Sequence, residues 1–177
     1  MKAPSGRYLP LIVAIFVLVL DFASKSFTHH YLPLMRVNWL WYPYGGIGVF
    51  KDFFGIEFSI SHHINKGAAW GLLSDFQIPL VYARIALIGV LMVYALWWNT
   101  HREWRIPLAL IISGAIGNVI DYYLYGHVID MLHFILWGYD FPVFNIADSA
   151  IFLGVASILI LSFTGQKSPS KLKKISK

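Results

Sequence analysis

The chain has 177 residues, 58% of them hydrophobic and only 13% charged, whereas roughly a quarter of a soluble domain's residues carry charge. That balance excludes an ordinary soluble domain, and the absence of cysteine excludes disulfides and thiolate metal sites. The net charge of +5 does not mark a partner for nucleic acid, because the Lys and Arg residues gather at the edges of apolar runs rather than on a soluble face.

About 20 mostly apolar residues in a helix cross a hydrocarbon core, and four stretches qualify: 8–27, 79–98, 106–125 and 146–163. Lys2 and Arg7 ahead of the first run resemble the start of a secretory leader. That run, however, meets Asp21 and Lys25 instead of a small-residue cleavage site, and three more runs follow. Arg102 and Arg105 separate the second and third runs, and Lys167, Lys171, Lys173, Lys174 and Lys177 follow the fourth. The positive-inside rule therefore predicts cytoplasmic termini and a cytoplasmic Arg102 connection. Arg84 then falls near the outer end of the second span, where it is expected to snorkel to the headgroups.

Between the first two spans, the outer region 28–78 is broken by Pro33, Pro43, Gly45, Gly46, Gly48 and Gly55. Within it "FGIEFSIS" alternates Ile56, Phe58 and Ile60 with Glu57, Ser59 and Ser61, the period of a half-buried strand. In the third span Ser113, Gly114 and Gly117 are small residues at helix-packing intervals. Asn118 and Asp121 share an inward face one turn later, and Gly126 suits a left-handed cap. The fourth span opens on "FNIADS", with Asn145 as N-cap and Asp148 three residues on, in the manner of a capping box. The expected fold is a membrane protein, mainly α: a four-transmembrane-helix bundle with a small extracytoplasmic β-containing region. It forms one domain over residues 1–165, with a basic tail at 166–177 attracted to anionic headgroups.

This topology gathers Asp21, Asp121, Asp130 and Asp148 toward the outer leaflet, and ionisable groups at membrane depth mark a functional site by default. Each also has a plain role. Asp148 can serve the helix start, Asp121 can bond Asn118 and nearby backbone, Asp21 can pair with Lys25, and Asp140 can be a solvated loop residue. Asp130, between Ile129 and Met131, has the weakest plain explanation. Two carboxylates facing one water can hydrolyse an amide, because like charges keep a single proton on the pair over a working pH range. The environments suggest an ionised Asp148 at a positive helix end and a protonated Asp130 among apolar residues. Other designs fit less well. His127, Asp130 and His133 stand at three-residue spacing, weak evidence for zinc. Ser113 and Ser149 have no histidine base at an interpretable interval, and His29, His30, His62 and His63 read as interfacial side chains.

The blocks "LDFASK", "NKGAAWGLL", "SGAIGNVIDYYLYGHVIDM" and "FNIADSAIFLG", in this order across four spans, resemble the lipoprotein signal peptidases, or signal peptidase II. The resemblance implies an intramembrane aspartic endopeptidase of the bacterial cytoplasmic (inner) membrane, multi-pass, with its active site toward the outer leaflet. Its implied substrates are diacylglyceryl-modified prolipoproteins, cut just before the lipidated cysteine amid membrane lipids. It implies inhibition by globomycin-type cyclic peptides and no metal or organic cofactor. By motif the dyad is Asp130 and Asp148. Asn65, Asn118 and Asn145 are substrate-positioning or dyad-supporting residues, and Asp21 and Asp121 supporting acids. The chain departs from the pattern at Tyr122, where the family commonly has Arg, and at Met131, where it commonly has Phe. The run Gly67-Ala68-Ala69 would let a substrate backbone approach closely, and Trp70 is an interfacial aromatic or a substrate contact. A small proton-coupled transporter and a non-catalytic lipoprotein-binding homologue are the alternative readings.

Overall fold

The computed structural model describes residues 8–35, 41–67 and 76–165. Lys2, Arg7, Ala68, Ala69, Trp70 and the basic tail lie outside these residues. The elements run α1 (Leu9–Tyr31), β1 (Ile47–Phe53), β2 (Ile56–Asn65), α2 (Gln77–Val93), α3 (Arg105–Tyr125), β3 (Val128–Leu136), β4 (Tyr139–Asp140) and α4 (Ile146–Gly165). Four helical stretches are long and apolar enough to cross a membrane: Leu9–Tyr31, Gln77–Trp98, Arg102–Tyr125 and Ile146–Thr164. Each agrees with a predicted span to within a few residues, the first continuing one turn past Phe27.

The bundle is apolar outside and polar inside, as a lipid solvent requires. Leu11, Ile12, Phe16 and Val19 of α1 and Phe152, Leu153 and Phe163 of α4 are exposed, while Asp21, Lys25, Thr28, Ser113, Asn118 and Asp121 are buried. Close approach of α3 to both α4 and α1 depends on the small residues of α3. A Cβ on Gly114 would run into the carbonyl oxygen of Ala147, and one on Gly117 would stand 2.6 Å from Asp21 Oδ2.

Lys25 locks α1 to α3. Its wholly buried ammonium meets Asp21 Oδ2 at 2.7 Å and Asp121 Oδ2 at 2.8 Å, and donates to Asn118 Oδ1 at 3.0 Å. Three N–H donors thus find three acceptors, which satisfies an ammonium completely.

The expected outer strand belongs to a four-stranded antiparallel sheet in the order β1-β2-β3-β4. Its central pair aligns Phe58 with Phe134 and Ile60 with Leu132, and the two phenyl rings stack with centroids 4.3 Å apart. Beyond Ile60 the register shifts, so that His63 faces Asp130. The extra residue lies on β2, a bulge of the kind that re-aims side chains beside functional sites. Gly126 caps α3 in the left-handed conformation, with φ 77°, and its N–H reaches the carbonyl of Tyr122 at 2.9 Å. The turn it makes feeds the chain directly into β3.

Replacing Lys25 by Met leaves Asp21 and Asp121 buried without their cation, a loss worth about 3–5 kcal/mol when a buried pair is broken from one side. Thermal unfolding of the protein in detergent is expected to show a large fall in midpoint, and an unchanged midpoint would contradict this role.

Candidate active site

Asp130 is the third residue of β3, with neighbours Val128, Ile129 and Met131 all buried. The apolar runs of the sequence leave this residue in the connection between the third and fourth spans. A strand forms instead because "VIDMLHFIL" is β-branched and apolar with both faces covered, a pattern with no period-two alternation to recognise. Phe144 closes over the far side of β3, accepting from the Met131 N–H at 3.0 Å and the Leu132 N–H at 2.8 Å. That contact delivers Asn145 to Asp130.

Asn145 and Asp148 form the expected capping box at the start of α4. The Asp148 N–H donates to Asn145 Oδ1 at 2.8 Å, and the Asn145 N–H donates to Asp148 Oδ2 at 3.3 Å. A second capping contact comes from another helix: the Ala147 N–H donates to Asp21 Oδ1 at 2.8 Å. Asp21 thereby serves Lys25 with one oxygen and α4 with the other. The fully buried Asn145 side chain turns its Nδ2 to Asp130 Oδ1 at 2.7 Å, to Asn118 Oδ1 at 3.1 Å and to the Ile129 carbonyl at 3.3 Å. Asn118 Nδ2 donates to Asp148 Oδ1 at 2.8 Å.

The amide orientations follow from this network. Lys25 can only donate, so it fixes the oxygen of Asn118 toward itself and the nitrogen toward Asp148. On the other side, the Gly67 N–H occupies Asn65 Oδ1 at 2.9 Å, leaving Asn65 Nδ2 to donate to Asp130 Oδ2 at 3.0 Å. The Asp130 carboxyl is raised to about 7, chiefly by burial and next by the negative charge of Asp148, against the pull of its Asn65 and Asn145 donors. A cavity of about 720 Å3 opens beside it, lined by Asn65, Lys66, His133, Asp140, Phe141 and Pro142 among others.

All seven residues singled out from the sequence therefore lie in one connected network. Asp121 does not bond Asn118 as expected; its Oδ2 takes Lys25 at 2.8 Å and the Ile129 N–H at 3.3 Å. Arg84 does not snorkel to the headgroups but donates to the Gly67 carbonyl at 3.0 Å. Asp130 and His133 lie on a strand, with His127 just ahead of it, and an odd spacing of three along a strand turns Asp130 and His133 to opposite faces rather than to one zinc. Among the described residues no group of three or more His, Cys, Asp or Glu could hold a metal. His133 instead meets Asp140 at 2.9 Å. His62, read as interfacial, is buried, with Nδ1 3.1 Å from the Leu32 carbonyl. His63 faces His133 and is pushed down to about 4 by burial, so it is neutral near neutral pH. Ser113 and Ser149 donate to backbone carbonyls of their own helices, Leu110 at 3.2 Å and Asn145 at 2.9 Å. Neither has a base as partner. Lys25, noticed in the sequence only beside Asp21, and Arg84 are the site residues whose part was missed.

Known proteins resemble this chain over most of its length. A model of the family described as signal peptidase (SPase) II matches residues 13–164. A lipoprotein signal peptidase of Xylella fastidiosa strain M12 is 36% identical over 171 residues, which is 90% of this chain and 91% of that protein. One from Staphylococcus haemolyticus is 32% identical over 164 residues, covering 90% of this chain and 94% of its own. A bacterial membrane enzyme solved by the in meso method at 2.3 Å superposes with a TM-score of 0.78 at 28% identity, over 97% of this chain and 96% of that one. The chain belongs to the signal peptidase II family of membrane peptidases.

Proposed function

We propose that this protein removes the signal peptide from diacylglyceryl-modified prolipoproteins, cutting before the lipidated cysteine, with Asp130 and Asp148 as an aspartic dyad. One observation carries the reading. A single buried residue, Asn145, donates to both carboxylates, from its side chain to Asp130 at 2.7 Å and from its backbone to Asp148 at 3.3 Å.

The two aspartates have different surroundings and so take different parts. Asp148 faces donors from Asn118 and the Asn145 backbone and acts as the base. Asp130, raised to about 7, carries the proton. Asp148 takes a proton from a water whose oxygen attacks the scissile carbonyl carbon, while Asp130 gives its proton to the carbonyl oxygen. The resulting diol collapses as the C–N bond breaks. The proton on Asp148 passes to the leaving nitrogen, and Asp130 recovers one from the diol hydroxyl, which resets the pair.

The peptide enters along the cavity beside Asp130, past Asn65 and Lys66, while the acyl chains stay in the bilayer. The arginines at 102 and 105 keep their connection on the cytoplasmic side of a bacterial inner membrane. Both termini share that side, and the dyad faces the outer leaflet.

Purified protein is expected to cleave a diacylglyceryl prolipoprotein in a gel-shift assay, with or without a strong chelator. Asp130→Asn and Asp148→Asn should each lower the rate by roughly a thousandfold or more, and globomycin should inhibit the wild type. Full activity in either variant would overturn the dyad, and loss to chelator would point to a metal. The alkaline limb of the pH–rate profile is expected at about 7, because the acid form of Asp130 is lost as the pH rises through that value. The apparent values belong to the pair. Asn145→Ala should reduce the rate by about a hundredfold through misplacement of both carboxylates, and a rate near wild type would contradict its bridging role.

A further inference from the structure

An arginine on a helix within the membrane is expensive unless it turns toward a cavity or a partner. On α2, Tyr82 and Leu87 are exposed, whereas Val81 and Ile88 are buried. Arg84 lies three residues after Val81 and four before Ile88, on that same inward face. It is half-buried, and its guanidinium donates to the Gly67 carbonyl at 3.0 Å. Gly67 in turn holds Asn65, and Asn65 holds Asp130 Oδ2. The guanidinium thus reaches the Asp130 carboxyl through Gly67 and Asn65.

We infer that Arg84 is a positioning residue for the aspartate pair: from α2 it fixes the Gly67–Asn65 turn that aims a donor at Asp130 and supplies the cation that biases how the pair shares its proton. The inference rests on the dyad reading above. A neighbouring positive charge favours ionised carboxylate. Arg84 therefore lowers the pH at which Asp130 gives up its proton, and the alkaline limb of the activity profile lies lower in pH than it would without it.

Other charges surround the pair, and each has its own setting. Asp21 and Lys25 of α1 and Asp121 of α3 form the closed ion triad. His63 on β2, which faces Asp130, and His133 on β3 are further titratable neighbours, His133 being bonded to Asp140 of β4, and Lys66 lines the cavity.

The test compares pH–rate profiles for prolipoprotein cleavage in wild type, Arg84→Gln and Arg84→Lys. Gln keeps a donor without charge, and Lys keeps the charge without the planar fork. The alkaline limb is expected to move to higher pH by about half a unit or more in Arg84→Gln, while Arg84→Lys keeps it where the wild type has it. A lower rate with an unshifted alkaline limb in Arg84→Gln means a structural tie alone and overturns the inference. Should Arg84→Gln not fold, the chain's lack of cysteine permits a second route. Folded Arg84→Cys is split and treated with aminoethyl or hydroxyethyl methanethiosulfonate, which install a charged or a neutral arm on the same protein. The charged adduct should have its alkaline limb at lower pH, and coincident alkaline limbs overturn the inference. No cleavage by the wild type overturns the proposed function and this inference together; wild-type cleavage with coincident profiles overturns this inference alone.

Discussion

A lysine ammonium buried among membrane helices must find acceptors for all three of its protons, and the core of this protein is arranged around that requirement. Lys25 meets Asp21, Asp121 and Asn118 at 2.7, 2.8 and 3.0 Å. Two carboxyl groups and an amide oxygen surround one cation, and the carboxyl groups accept from further donors. Those donors are the Ala147 N–H at the start of α4 and the Ile129 N–H at the start of β3. The ion cluster thus sets the places where the two strand and helix segments bearing Asp130 and Asp148 begin. Stability and site geometry share the same atoms here, which is why a polar cluster persists at a depth where apolar packing alone would be cheaper.

The asymmetry between the two aspartates follows from backbone context. Asp148 sits in the first turn of a helix, where backbone N–H groups lack partners and a carboxylate is welcome. Asp130 sits in a strand whose own N–H and C=O groups are engaged in the sheet, and its surroundings are apolar side chains and two asparagine amides. One carboxyl group is solvated by a helix end and the other by little beyond amide donors. A bulge in β2 opposite Asp130 and the Phe144 contact behind it bring these two environments together.

Much of this was legible in the sequence, for identifiable reasons. Spans show as long apolar runs, the α4 capping box as a three-residue spacing, the α3 cap as a glycine after the last apolar turn, and β2 as strict alternation. β3 was missed because a strand buried on both faces has no alternation, and that omission also made three-residue histidine spacing look like a ligand set. Arg84 was misplaced because depth along a helix is readable from sequence, whereas the direction of a side chain around it depends on which neighbours pack there. The Lys25 triad joins residues 21, 25, 118 and 121 across two helices, a pairing that local sequence rules do not reach. Its Asp21–Lys25 edge, at four-residue spacing, was the part that could be read.

The most direct measurement of the account is the site of the shared proton. Infrared difference spectra of the protein taken across a pH titration should contain a protonated-carboxyl band that is lost as the pH rises through about 7. Asp130→Asn is expected to abolish this band, and Asp148→Asn to leave it in place with an altered midpoint. A band removed by Asp148→Asn and untouched by Asp130→Asn would contradict the assignment of acid and base, and with it the claim that helix end and apolar strand set the two aspartates apart.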